Sequence, residues 1–101
     1  MMTDCNTGYD ELVDTLMDAF AQASSGKGHE RHGGGLDFTE QPLFTIMREH
    51  GVGFATGQAA KKLGESHTIL KLRGKDAAIN ELYGAIIYTA AAIMHLKRQF
   101  D

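Results

Sequence analysis

The periodic apolar pattern near the C-terminal end of the chain restricts its fold more than any other feature. Ile79, Leu82, Tyr83, Ile86, Ile87, Ala90, Ile93 and Met94 recur at three- and four-residue spacing, which marks one face of a helix. The spacing predicts a helix over about 76–99, roughly 36 Å long at a rise of ~1.5 Å per residue. In a chain of 101 residues such a helix is long for the domain, and it is expected to pack the other helices and a symmetry mate. Ala85, Ala90, Ala91 and Ala92 allow a neighbour to approach closely. The apolar run Leu82 to Leu96 is short for a membrane span and carries a polar face, so no membrane association is expected.

The same spacing is found at Tyr9, Leu12, Val13, Leu16, Met17 and Phe20, with Asp10, Asp14 and Asp18 forming an opposing acidic row. Thr7 and Asp10 suit a capping pair, and early acids suit the positive end of the helix dipole. This helix is expected to end near Ala23. Pro42 is placed to open a second helix carrying Leu43, Phe44, Ile46 and Met47, and Gly51 to stop it. Residues 51–57 read as a further flexible break, followed by a helix around Gln58–Leu63 that ends at Gly64 or at Ser66-His67. Residues 68–73 fit either a helical turn or a short strand. The expected fold is all-α: one small helical bundle over residues 1–101, frayed at 1–8, with a glycine-rich loop after the first helix. A core this small favours a homo-oligomer.

Apolar residues make up 43% and charged residues 23% of the chain, which argues against wholesale disorder. Cys5 is the sole cysteine, so no intramolecular disulfide can form. The N-terminus has neither a basic start nor an apolar stretch, and a reducing cytoplasm is the expected location. The net charge of −3 conceals an asymmetry. Residues 1–23 carry Asp4, Asp10, Glu11, Asp14 and Asp18 and no Lys or Arg, whereas residues 61–75 carry Lys61, Lys62, Lys71, Arg73 and Lys75 against Glu65 alone. General nucleic-acid binding is disfavoured, but a small phosphate-bearing ligand is compatible with this distribution. The two regions would also serve as solvated faces, or meet across a subunit contact.

Unusual chemistry is concentrated between Lys27 and Pro42. Gly26, Gly28 and Gly33–Gly35 expose backbone N–H groups able to form an anion-binding nest, and Lys27 and Arg31 add charge. Glu30, His29 and His32 can read hydroxyls or a base edge, and Phe38 or Tyr9 can stack on a base. No Gly-Lys-Ser or Gly-Lys-Thr ends the segment, so it is not a Walker loop, and no strand precedes it as in a dinucleotide fingerprint. A mobile loop with solvated charges is the plainer alternative. His29, His32, Glu30 and Asp37 offer metal donors, but their spacing is one residue short of the His-Glu-x-x-His arrangement, and no metal or cofactor is expected. His32 with Glu30 or Asp37 can activate water if the fold joins them. The helical nucleotide pyrophosphatases need paired acids on two helices; Glu11 and Asp14 supply one pair, and no second pair surrounds Glu65 or Glu81. His50, His67 and His95 are scattered and carry no pattern.

Lys27-Gly28-His29-Glu30-Arg31-His32 and Asp37-Phe38-Thr39-Glu40-Gln41-Pro42 resemble a class of small uncharacterised phage proteins. The likeness extends through Gly53-Phe54, Gly57-Gln58-Ala59, Lys61-Lys62 and Glu81 to Tyr88. The resemblance implies a phage origin and no particular chemistry. In architecture alone, the long alanine-rich final helix and expected oligomer resemble phage anti-defence sponges, which sequester the nucleotide signals of CBASS or Thoeris immunity.

The resulting expectation is a homo-oligomeric binding protein in the host cytoplasm, rather than an enzyme, that sequesters a cyclic oligonucleotide or cyclic ADP-ribose type of signal. Lys27, Arg31, Lys61 and Lys62 would meet phosphates, with Gly28 allowing close approach. Glu30, His32 and Gln41 would supply polar recognition, and Phe38 would wall the pocket. The alternatives are a small nucleotide hydrolase using His32 and Glu30, and a protein–protein inhibitor whose acidic first helix covers a basic surface.

Overall fold

The computed structural model describes residues 8–25 and 36–99. They form four helices, α1 (Asp10–Ser25), α2 (Pro42–His50), α3 (Gly53–Arg73) and α4 (Lys75–Gln99), with a short 3-10 turn at Phe38–Glu40 before α2. No strand occurs among the described residues, and the chain is all-α. The long C-terminal helix predicted from periodicity is present as α4.

Helix α1 starts on Asp10 and Glu11, whose charges favour the positive helix end; Thr7 lies outside the described residues. It continues two residues past the expected stop, and the Ser25 hydroxyl donates to the Ala21 carbonyl at 2.9 Å. Gln22 donates to the Asn80 carbonyl at 3.3 Å and Tyr83 donates to Asp18 at 3.4 Å, so α1 runs antiparallel to α4. Ala19 is the one buried residue of α1. Leu12, Leu16, Met17 and Phe20 remain 47–58% exposed, leaving the apolar stripe of this helix largely uncovered.

Pro42 opens α2, where its missing N–H and fixed φ are tolerated. Gly51, at φ 97°, ends the helix and donates its N–H to the Met47 carbonyl at 2.8 Å. That left-handed backbone favours glycine.

Helix α3 corrects two expectations and settles a third that the sequence leaves open. It begins at Gly53, runs without interruption through Gly64 and Ser66-His67, and takes in residues 68–73 as helix. Interior glycine costs about 1 kcal/mol relative to alanine, so the sequence reads as broken. Packing along α4 outweighs that cost: Ala55, Ala59 and Ser66 of α3 and Ala78, Ala85 and Ala92 of α4 are buried, and small side chains bring the helices close. The Ser66 hydroxyl donates to the Leu63 carbonyl at 2.6 Å, so its burial leaves no unmet donor. Gly74, at φ 93°, turns the chain from α3 into α4.

The core lies where α2 meets this helical pair. Phe44 and Met47, each 1% exposed, pack with Ala55, Ala91 and Ala92, and Phe38, Phe54, Tyr88 and Met94 surround them. Phe38 meets Phe44 edge to face, with ring centroids 5.2 Å apart, which suits the aromatic quadrupole. By length and composition α4 is apolar enough to cross a membrane, and 22% of its most apolar window is buried.

Candidate functional site

A cavity of about 780 Å³ opens between the end of α1, the 3-10 turn and helices α2, α3 and α4. Ligand sites commonly occupy about 300–1,000 Å³. Phe38, Phe54 and Tyr88 supply aromatic wall, and Leu43, Ile46 and Ile87 supply aliphatic wall. Four carboxamides, from Gln22, Gln41, Gln58 and Asn80, reach the same space.

Gln41 is held at the N-cap of α2. Its backbone is extended, its N–H donates to the Phe38 carbonyl at 3.2 Å, and its carbonyl accepts from the Phe44 N–H at 2.9 Å. These two bonds fix the residue and leave its side chain uncommitted. The amide makes no capping bond and has no partner among the described residues, although Gln41 is only 8% exposed. A buried amide costs free energy unless it is hydrogen-bonded. No buried side-chain polar atom is both sealed from solvent and unpaired among the described residues, so the Gln41 amide meets its requirement at the cavity surface.

Lys62 enters the cavity from α3 and lies 3.6 Å from a Glu81 carboxylate oxygen on α4, both side chains being less than a third exposed. Its stem crosses α4 at Gly84: a Cβ there would lie 2.5 Å from Lys62 Cδ and 2.9 Å from Cε. Among the described residues lining the cavity, Lys62 is the one cation, and Glu81 balances it. The cavity is therefore close to neutral and rich in paired donors and acceptors.

Three of the residues predicted from sequence, Phe38, Gln41 and Lys62, converge on this cavity. Lys61 does not line it and is exposed, because adjacent helical residues point about 100° apart. Lys27, Gly28, Glu30, Arg31 and His32, with the rest of the glycine-rich segment, lie outside the described residues. Ala23 and Phe38, which flank that segment in the chain, both line the cavity. Among the described residues no three His, Cys, Asp or Glu side chains group as metal ligands.

Sequence reasoning passes over Gln22, Gln58, Asn80, Glu81, Gly84, Phe54 and Tyr88 as site residues. Neutral amides on helices carry no spacing signature. Gly84 does carry a signal, since an interior glycine costs about 1 kcal/mol relative to alanine in an otherwise strong helix.

Compared with known proteins, the chain matches no family profile, no curated protein and no solved structure.

Proposed function

We propose that this chain binds a small nucleotide-derived ligand and holds its base in the cavity between α2, α3 and α4. The uncommitted amide of Gln41, buried beside the aromatic wall, carries this reading. A nucleobase offers flat faces for Phe38, Phe54 or Tyr88 and donor–acceptor edges for carboxamides. With Lys62 as the cation beside Gln41, the ligand would present one anionic group there.

The architectural likeness of the long alanine-rich final helix to phage anti-defence sponges motivates placing this binding in anti-defence: the chain would sequester a cyclic oligonucleotide or cyclic ADP-ribose type of immune signal in the host cytoplasm. Calorimetry against cyclic dinucleotides, cyclic ADP-ribose and adenosine monophosphate tests the reading. Saturable binding, with the nucleotide recovered intact after denaturing the protein, is the expected result. Absence of binding to every member while the protein stays folded would sink it, and recovery of a cleaved nucleotide would replace it with hydrolysis.

A second copy of the chain is the proposed partner. The exposed stripe of α1 shares that helix with the acids Asp10 and Asp14, and α1 has no basic residue. The exposed face of α3 bears Gly53, Gly57, Ala60 and Gly64, flanked by the bases Lys61 and Lys71. Large apolar side chains on one copy and a small-residue groove on the other, with opposite charges alongside, are self-complementary under two-fold symmetry.

A further inference from the structure

A second concavity, of about 380 Å³, lies at the C-terminal ends of α2 and α4 and is lined by Phe44, Arg48, His95, Arg98 and Gln99. It shares no lining residue with the cavity described above. His95, Arg98 and Gln99 occupy one face of α4 at i, i+3 and i+4, while Phe44 and Arg48 stand one turn apart on α2. Two helices thus bring two guanidinium groups and an imidazole to one place, and no acid lines it among the described residues.

His95 is 8% exposed and makes no hydrogen bond among the described residues. It is not sealed in with an orphaned nitrogen, so its ring nitrogens keep access to solvent, and the residue lines the concavity. Arg48 donates once, to the Thr45 hydroxyl at 3.2 Å, which leaves most of its five N–H donors available. Neither Arg48 nor Arg98 has an acidic partner among the described residues. The two helix C-termini contribute about half a negative charge each. Two guanidinium charges outweigh them and leave a positive, water-accessible hollow.

We infer that this hollow is a binding site for the phosphate group of a small phosphomonoester. A planar carboxylate is satisfied by a single guanidinium fork. Donors converging from two helices suit a tetrahedral group with three acceptor oxygens and close to two negative charges at neutral pH. The Phe44 ring, itself almost wholly buried, closes the base of the hollow. The site stands independently of the nucleotide reading, since none of its residues serves the other cavity.

The test follows the ring signals of His95 by NMR at fixed ionic strength, with inorganic phosphate, ribose 5-phosphate, acetate and ribose as probes. Phosphate and ribose 5-phosphate should give saturable shifts, acetate weaker ones and ribose none. Arg48→Gln and Arg98→Gln, both at exposed positions, should each weaken ribose 5-phosphate binding about tenfold, the size of one charge-assisted contact, with the circular dichroism spectrum unchanged. Gly84→Ala, which alters the other cavity, should leave it unaffected. Shifts that rise without saturating, equal affinity for acetate, or undiminished binding in the Arg48→Gln, Arg98→Gln double variant would each overturn the assignment.

Discussion

The Lys62 side chain crosses α4 directly over Gly84, and the missing Cβ of Gly84 is what lets its ammonium lie 3.6 Å from Glu81 at the cavity wall. Glycine inside a helix is otherwise a cost. Here it gives a lysine passage across a neighbouring helix.

Replacing Gly84 with alanine therefore separates stability from binding. Alanine improves helix propensity by about 1 kcal/mol. The atoms it strikes belong to the far end of a flexible lysine, and an ion pair of this kind is worth at most about 1 kcal/mol. The unfolding free energy should stay within about 1 kcal/mol of the parent, while affinity for the cavity ligand falls about tenfold, as expected for one displaced charge-assisted contact. Chemical denaturation and calorimetry on the same variant check both halves, and a stable variant with unchanged affinity removes Lys62 from the site.

Gln41→Leu tests the recognition amide. Leucine preserves most of the volume and removes a buried polar group, so folding should be unaffected or slightly improved. Binding should weaken by about 1–3 kcal/mol, because a base edge loses its partner in the cavity. Equal affinity in Gln41→Leu and the parent would mean that the ligand lies elsewhere.

The docking of α1 should depend on pH through Tyr83. Burial first, then the charge and hydrogen bond of Asp18, raise the phenol above its ordinary value of 10.0. The folded state thus holds the proton more tightly than the unfolded state. Its contribution is complete below the unfolded value and is lost as pH rises through the folded one. Denaturation midpoints measured from about pH 8 to about pH 11 should fall at the alkaline end, and Tyr83→Phe should flatten that part of the profile. A parent profile parallel to that of the variant would show that the contact is not formed.

These elements differ in how plainly the sequence announces them. Helix α4 is legible because Ile79, Ile86, Ile93 and their neighbours repeat without a glycine strong enough to stop them, and Gly51 signals the end of α2 by residue type. Helix α3 is obscured at Gly53, Gly57 and Gly64, where local propensity opposes the helix and burial against α4 decides the outcome. A Cβ added at any of these three would meet no neighbouring element within 4 Å, so nothing within the described residues explains the choice of glycine. Phe38, Gln41 and Lys62 are found from sequence because they stand near other distinctive residues. Arg48, His95 and Arg98 are not, because residues so distant in sequence converge only through the packing of α2 on α4.

The glycine face of α3 and the apolar stripe of α1 together bear on self-association. Twelve large apolar residues are exposed among the described ones, including Leu12, Leu16 and Phe20 of α1, whereas Phe44 and Met47 are the only large side chains fully buried there. A surface this apolar needs covering. The groove formed by Gly53, Gly57, Ala60 and Gly64 would accept the α1 side chains of a second copy, with Asp10 and Asp14 approaching Lys61 and Lys71. A specific contact would bury about 1,200–2,000 Å² in total. Leu16→Glu with Phe20→Glu should convert the proposed dimer to a folded monomer in sedimentation velocity, since both positions are exposed in the single chain. Gly57→Leu should do the same from the opposite side, and added salt should weaken the parent dimer by screening its flanking charges. A parent that sediments as a monomer, or one that floats with lipid vesicles through the apolar face of α4, would assign this surface to something other than a second copy.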